Sequence, residues 1–301
     1  MTPAASIPSP SLRALVAGLV DYAGLFPPAE LSMSDAVAHY ASYRASTDAW
    51  MLGRFVVPVA RLEGLAAEAA RHTTTATSPW RLSALVGDDA SADADCIRTF
   101  NASQAGRIVV DVAEVKAASA ERIGLATRAL GVELAVYVEL PHVADPRALL
   151  EVVRGCGARA KIRTGGVTAD AFPDAAGLAR FIARCAELGV PFKATAGLHH
   201  PLRGDHRLTY GPDAPSATMF GFLNVFVAGA LATVGVSEHE LVAVLEERQG
   251  SAFTFGADGL RWRDQHVPLE QIARARASFA VAFGSCSFRE PVDDLQELAL
   301  L

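Results

Sequence analysis

Cysteine is scarce in this 301-residue chain, and its four copies follow no recognisable pattern. Cys96, Cys156, Cys185 and Cys286 share neither metal-type nor disulfide-framework spacing, which excludes a zinc module or a stapled secreted scaffold and fits a reducing compartment. Cys-x-x-Cys, His-x-His and His-Glu-x-x-His are all missing, so no metal or other cofactor is expected. Basic runs are missing too, and the formal net charge is −6, which argues against nucleic acid as a main partner. The opening Met-Thr-Pro-Ala-Ala-Ser-Ile-Pro-Ser-Pro has neither the positive start nor the apolar core of a signal peptide. The apolar stretch Met219–Val236 barely reaches membrane-spanning length and contains Asn224 and several glycines, so a buried helix explains it better than a span. Together these absences predict a soluble, cytoplasmic protein with neither a membrane nor a nucleic-acid partner.

What the chain does have is apolar material in regular portions, 51% of its residues. After a Pro/Ser-rich lead over residues 1–12, expected to be flexible, short apolar runs alternate with longer helical patterns. Strands are predicted at Leu15–Asp21, Gly53–Pro58, Arg81–Gly87, Arg107–Ala113, Leu134–Leu140, Ala160–Thr164, Pro191–Thr195 and Ala280–Ser285. Helices are predicted at Leu62–His72, Ala92–Ala102, Ala117–Leu130, Pro146–Cys156 and Asp174–Leu188, with Asp145 and Asp174 as N-caps. Eight strand–helix units with right-handed crossovers are the pattern of a closed (β/α)8 barrel, here a single domain over residues 13–301. No Gly-x-Gly-x-x-Gly follows the first strand to favour an open dinucleotide-binding sheet. Residues 202–278 interrupt the rhythm with two helical patterns, Phe220–Val234 and Glu238–Gln249, and a hairpin of Phe253–Phe255 with Leu260–Arg263. This insertion between the seventh and eighth strands reads as a lid or as a contact in a homo-oligomer.

The chemistry is expected from two lysines. Lys161 in Ala-Lys-Ile-Arg-Thr-Gly-Gly and Lys193 in Pro-Phe-Lys-Ala-Thr-Ala-Gly each sit in a short apolar run ending in glycine. That places both near the carboxyl ends of consecutive strands, where α/β barrels keep their active sites. Two such lysines repel as cations, so one tends to lose its proton, and a neutral lysine attacks carbonyl carbon. Strand alternation puts Lys161 with Arg163, and Lys193 with Thr195, on one face; Asp111 and Glu139 stand alone in apolar fourth and fifth strands. These two acids balance the three cations to within about one positive charge, enough to hold a small anionic substrate. The bland alternative is an ion-pair network tying strands together, but buried networks are costly without a functional need.

The same residues carry a family resemblance running from about residue 19 to 288 in the right order. Leu19-Val20-Asp21-Tyr22-Ala23-Gly24-Leu25-Phe26-Pro27-Pro28 is similar to the opening Asp-His-Thr-x-Leu-x-Pro of the deoxyribose-phosphate aldolase group, lysine-dependent class I aldolases. Val110-Asp111-Val112 resembles the fourth-strand segment whose aspartate relays protons there, and Tyr137-Val138-Glu139 sits like the fifth-strand glutamate. Lys161-Ile162-Arg163-Thr164-Gly165 resembles Lys-Thr-Ser-Thr-Gly, where the lysine forms the Schiff base. Lys193-Ala194-Thr195-Ala196-Gly197 resembles Lys-Ala-x-Gly-Gly, whose lysine activates the first. Phe283-Gly284-Ser285-Cys286-Ser287 is similar to the eighth-strand turn that helps hold phosphate. The chain departs from the pattern at Tyr22-Ala23, at Arg163, at Ala196 and in the large insertion, so the deoxyribose phosphate substrate is not carried over.

The resemblance implies a carbon–carbon lyase in which Lys161 forms an imine, Lys193 tunes it and Asp111, with Glu139, serves proton transfer. Arg163, Thr164, Thr195, Gly197, His199, His200, Gly284, Ser285, Ser287 and Asp21 form the expected substrate-binding set, with the turns Gly197–Pro201 and Gly284–Ser287 gripping a phosphate or carboxylate. Asn224 reaches the site from the insertion or makes a helix-packing hydrogen bond. Cys286 has no sequence-local base and reads as a packed turn residue. Two other readings stay open: a metal-assisted lyase or hydrolase using His199 and His200 with Asp111 and Glu139, and a non-catalytic barrel that binds an anionic metabolite.

Overall fold

Alternation with a period of two sorts each strand into one face packed on helices and one face turned inward. The computed structural model describes residues 8–72, 78–104 and 106–301. Its strands are β1 (Val20–Tyr22), β2 (Leu52–Pro58), β3 (Trp80–Leu85), β4 (Ile108–Lys116), β5 (Ala135–Glu139), β6 (Arg159–Arg163), β7 (Phe192–Thr195), β8 (Gly204–Arg207), β9 (Ser216–Met219), β10 (Phe253–Phe255), β11 (Gly259–Trp262), β12 (Gln265–Pro268) and β13 (Ala280–Ser285). Eight of them close into a barrel in the order β1-β13-β7-β6-β5-β4-β3-β2, every pair parallel. The fold is therefore the (β/α)8 barrel that the strand–helix rhythm predicts. Phe55, Val57, Leu82, Ala84, Val136, Val138, Ile162 and Ala194 are buried in the main apolar core, while the residues between them face the barrel axis.

The helices are α1 (Pro10–Val16), α2 (Met33–Arg44), α3 (Leu62–Ala69), α4 (Ala90–Ser103), α5 (Ala120–Leu130), α6 (Arg147–Gly155), α7 (Ala175–Leu188), α8 (Phe222–Ala232), α9 (Glu238–Leu245), α10 (Leu269–Ser278) and α11 (Arg289–Glu297). Asp174 caps α7 by accepting from the Gly177 amide at 2.6 Å. The chain start departs from expectation: α1 begins at Pro10 with Ser9 as its N-cap, a Ser-Pro start that itself marks a helix. The first strand accordingly shortens to β1. Residues 1–7 of the expected lead lie outside the described residues.

Between β7 and β13, α8 is buried from Phe222 to Leu231. It packs on α7, α10 and β13, so the apolar stretch is the barrel's own helix after its seventh strand. The real additions are the β8–β9 hairpin over the mouth, α9, and a three-stranded sheet of β10, β11 and β12. That sheet packs with α1 and α10. Among the described residues no helix is long and apolar enough to cross a membrane.

Candidate active site

One carboxylate, Glu114, organises the interior. It is buried on β4, and its two oxygens each take a different lysine: Oε1 lies 2.6 Å from Lys193 Nζ and Oε2 lies 2.7 Å from Lys161 Nζ. Register explains why both lysines reach it, because Lys161 and Lys193 are Cα partners across β6 and β7 and project to the same side. Lys161 also meets Glu139 Oε2 at 2.7 Å, its partner on β5. Lys193 also meets Asp21 Oδ2 at 2.6 Å. Ser83 donates its hydroxyl to Glu114 Oε1 at 2.6 Å, and the Arg54 amide donates to Asp21 Oδ1 at 2.7 Å.

Burial and charge act in opposite directions on this network. Burial would raise the Glu114 carboxyl, yet Lys161 and Lys193 outweigh it and hold the group well below the usual carboxylate range. Glu139 is lowered for the same reason, against its own desolvation, by Lys161, then Arg163 and Lys116. Burial would strip the proton from Lys193, but Asp21 and Glu114 prevail and its ammonium is held above its ordinary value. The second lysine is therefore a fixed charge. Its repulsion of Lys161, expected from the pairing of the two strands, is offset by the shared acid between them.

Above this floor opens a cavity of about 680 Å³. Lys116, Glu139, Lys161, Arg163, Lys193 and Thr195 line its polar side, and Phe26, Pro28, Val56, Leu85 and Leu208 line an apolar wall. The loops after β6 and β7 meet so closely that a Cβ on Gly197 would lie 2.8 Å from the Gly165 Cα, so both positions need glycine. Thr164 fastens this junction from beneath, its hydroxyl donating to the Ala196 carbonyl at 2.6 Å. On the far side, His199 Nδ1 meets Glu290 Oε2 at 2.7 Å and His200 Nδ1 meets Asp294 Oδ2 at 2.6 Å. His206, from the β8–β9 hairpin, stacks on His200 at 3.5 Å, and burial followed by the neighbouring His200 lowers its pKa.

Several sequence expectations need correction. Asp111 does not belong to this site: it lies deeper along β4, where a bulge between its partners Leu82 and Ser83 leaves it unpaired in register. Its carboxylate is held by Arg54 Nε at 2.6 Å and Arg81 Nε at 2.7 Å, and it lines none of the cavity. The strand runs on to Lys116, three residues past the predicted end, which is why Glu114 went unnoticed. Asn224 is a packing residue. It donates to the Val244 and Glu247 carbonyls at 2.7 and 2.8 Å and accepts from the Arg203 amide.

Thr164, Ser285, Ser287 and Asp21 also stay off the cavity wall, whereas Gly197, His199, His200, Gly284 and Thr195 reach it. Cys286 lines the cavity, but burial pushes its thiol up to about 11, which suits the packed-turn reading. The metal set of His199, His200, Asp111 and Glu139 is not assembled, since Asp111 lies apart; among the described residues no group of three or more His, Cys, Asp or Glu converges as metal ligands.

Composition held one further signal. The chain has three lysines in all, against 24 arginines, and all three line the cavity. Compared with protein-family models, with curated proteins and with solved structures, the chain matches none.

Proposed function

We propose that this barrel is a carbon–carbon lyase of the class I aldolase type, with Lys161 as the imine-forming residue. The fold itself is one that commonly carries enzymes at the carboxyl ends of its strands. The observation that carries the reading is the single buried carboxylate shared by two lysines beneath a cavity. A purely structural network would gain little from burying three acids and two lysines, since desolvation offsets most of the attraction. The order of motifs resembling the deoxyribose-phosphate aldolase group supports the same reading, with Glu114 in place of the fourth-strand aspartate.

The partners distinguish the two lysines. Both acids that hold Lys161 have another cation: Glu114 keeps Lys193, and Glu139 keeps Arg163 at 3.4 Å and Lys116 at 3.9 Å. Lys161 can therefore turn toward a substrate without stranding a buried carboxylate. Lys193 cannot, because Asp21 has no other ion-pair partner among the described residues.

In the proposed reaction the Lys161 nitrogen, relieved of a proton by Glu114 or Glu139, attacks the carbonyl carbon. The carbonyl oxygen departs as water, so an ammonium and a ketone or aldehyde give an iminium and water with charge conserved. The iminium keeps its positive charge where Glu114 and Glu139 already match it, a preorganised electrostatic setting. In cleavage it accepts the electron pair of the carbon–carbon bond beside it and becomes an enamine, while the hydroxyl of the departing fragment gives its proton to a carboxylate and becomes a carbonyl. In the reverse direction the enamine supplies that pair and the alkoxide regains the proton.

Borohydride reduction in the presence of a panel of aldehydes and 2-oxo acids, followed by peptide mapping, tests this. The expected product is a mass increase on the peptide containing Lys161. Labelling confined to Lys193 would reverse the assignment. Binding of small acids without any labelling or turnover would leave a metabolite-binding barrel instead.

A further inference from the structure

Barrels of this kind grip phosphate with the loops after their seventh and eighth strands and the start of the following helix. In this chain that corner is already filled. Glu290 stands in the first turn of α11 and lines the cavity. Its carboxyl is held below its usual range, against desolvation, by His199 and Tyr210, so it is an anion where a phosphate would sit. Two amide donors at this corner are engaged as well. The Ser287 amide donates to Ser285 Oγ at 3.3 Å and the Glu290 amide to Ser287 Oγ at 3.2 Å. The two histidines expected to hold a phosphate, His199 and His200, face carboxylates instead, Glu290 and Asp294.

Apart from Arg207, which lines the cavity from the exposed end of β8, the cations lie elsewhere. Lys116 at the end of β4 and Arg163 at the end of β6 line the cavity. In the barrel order β6 is two places from β13, and β4 is four places away, directly across the ring. Arg163 spends Nε on Glu139 and Nη1 on the Gly165 carbonyl, each at 3.4 Å. Its Nη2 donates to nothing among the described residues. Arg163 and Lys161 are two residues apart on one strand face, about 6.6 Å along the strand. An anion held by Arg163 is therefore close to any carbonyl carbon bonded to Lys161.

From this geometry we infer that the substrate is an unphosphorylated 2-oxo acid, its carboxylate held by Arg163 and Lys116 beside the reacting carbonyl, with Glu290 excluding phosphate from the opposite corner. The inference rests on the Schiff-base reading for the carbonyl and on the charge layout alone for the acid. Guanidinium suits a planar carboxylate, which it meets with parallel N–H donors. A dianionic phosphate would have to crowd Glu139 on one side or Glu290 on the other. The rest of the substrate extends toward the apolar wall and the Tyr210–His199 side, which suits a hydroxyl or a neutral chain.

The test uses the intact protein and ligands that form no imine. Oxamate, an unreactive mimic of a 2-oxo acid, is titrated by calorimetry against inorganic phosphate and glycerol 3-phosphate. Oxamate should bind at least tenfold more tightly than either phosphate compound. Arg163→Leu and Lys116→Met should each weaken oxamate, Arg163→Leu by tenfold or more, and Glu290→Gln should strengthen phosphate several-fold while sparing oxamate. Tighter binding of a phosphate compound by the wild-type protein, or no oxamate binding at all, overturns the inference. So does a phosphate affinity that Glu290→Gln leaves unchanged.

Borohydride trapping with pyruvate and with glycolaldehyde phosphate separates the two layers. Trapping of the phosphate compound alone keeps the lysine chemistry and sinks the 2-oxo acid. Oxamate binding with no trapping by any carbonyl keeps the acid site and sinks the imine.

Discussion

Two charge clusters share the interior of this barrel, one toward each end of the strands. Toward the carboxyl ends, Glu114 and Lys193 leave 2% of their side chains exposed and form part of the floor of a cavity. Toward the amino ends, Asp111 joins Arg54 and Arg81, with 25% of the Asp111 side chain and 56% of the Arg81 side chain exposed. Both clusters pair acids and bases from different barrel strands, and the central acid of each, Glu114 or Asp111, comes from β4. What separates them is depth along the strand. The lower cluster ties β2, β3 and β4 together in partial contact with solvent, which weakens its ion pairs relative to a fully buried set. The upper one is buried and crowded and opens to a pocket, where every unpaired charge is expensive and every approaching dipole is strongly felt.

Removing one acid from each cluster gives the largest contrast. Glu114→Gln should cost about 3–5 kcal/mol of stability, because it strands two buried lysines. It should also cost roughly 10²–10⁴ in turnover of any substrate found, the range for lost acid–base assistance. Asp111→Asn should cost about 1 kcal/mol or less and leave turnover within a small factor, as denaturant melts and steady-state rates will show. Equal effects of the two substitutions would erase the distinction between the clusters.

Acid titration sharpens the same contrast. Glu114 and Glu139 have folded pKa values below the ordinary 4.5, so their stabilisation is complete above about pH 4.5 and is lost as pH falls through the depressed values. Lys193 is raised above 10.5, so its share is complete below that value and is lost only as pH rises through the folded pKa. A melting-temperature plateau between these limits is expected. Asp111 is also lowered, by Arg54 and Arg81 against desolvation, so the acid limb should flatten more in Glu114→Gln than in Asp111→Asn. A smaller loss, about 1.5–3 kcal/mol, is expected for Ser83→Ala, which removes the hydroxyl that serves Glu114. Arg81→Ala should be the mildest, about 0.2–1 kcal/mol, and should fade in high salt.

The barrel was legible because its cause is local. Apolar runs of period two alternating with capped helical stretches leave few other closed solutions, and Lys161, Lys193 and Glu139 were legible from the same alternation. Asp111 was misplaced because a bulge and a strand end are set by pairing with neighbours, which no single segment displays. Three residues along β4 exchange a solvent-touching acid for the central one. Asn224 was ambiguous for a similar reason, since its partners are carbonyls in the last turn of α9 and just past it, which only tertiary packing brings near. The lysine count, three in 301 residues, was the plainest available pointer to the site.

That count also makes the decisive measurement clean. Wild-type protein, Lys161→Met and Lys193→Met are each incubated with pyruvate and borohydride, and their intact masses are read. Lys116, 75% exposed at the rim, is present in all three and serves as the internal control for non-specific labelling. Wild type should gain one adduct, Lys193→Met should gain the same adduct more slowly, and Lys161→Met should gain none. An adduct of equal yield in Lys161→Met would contradict the central claim, because the imine would then form on another amine.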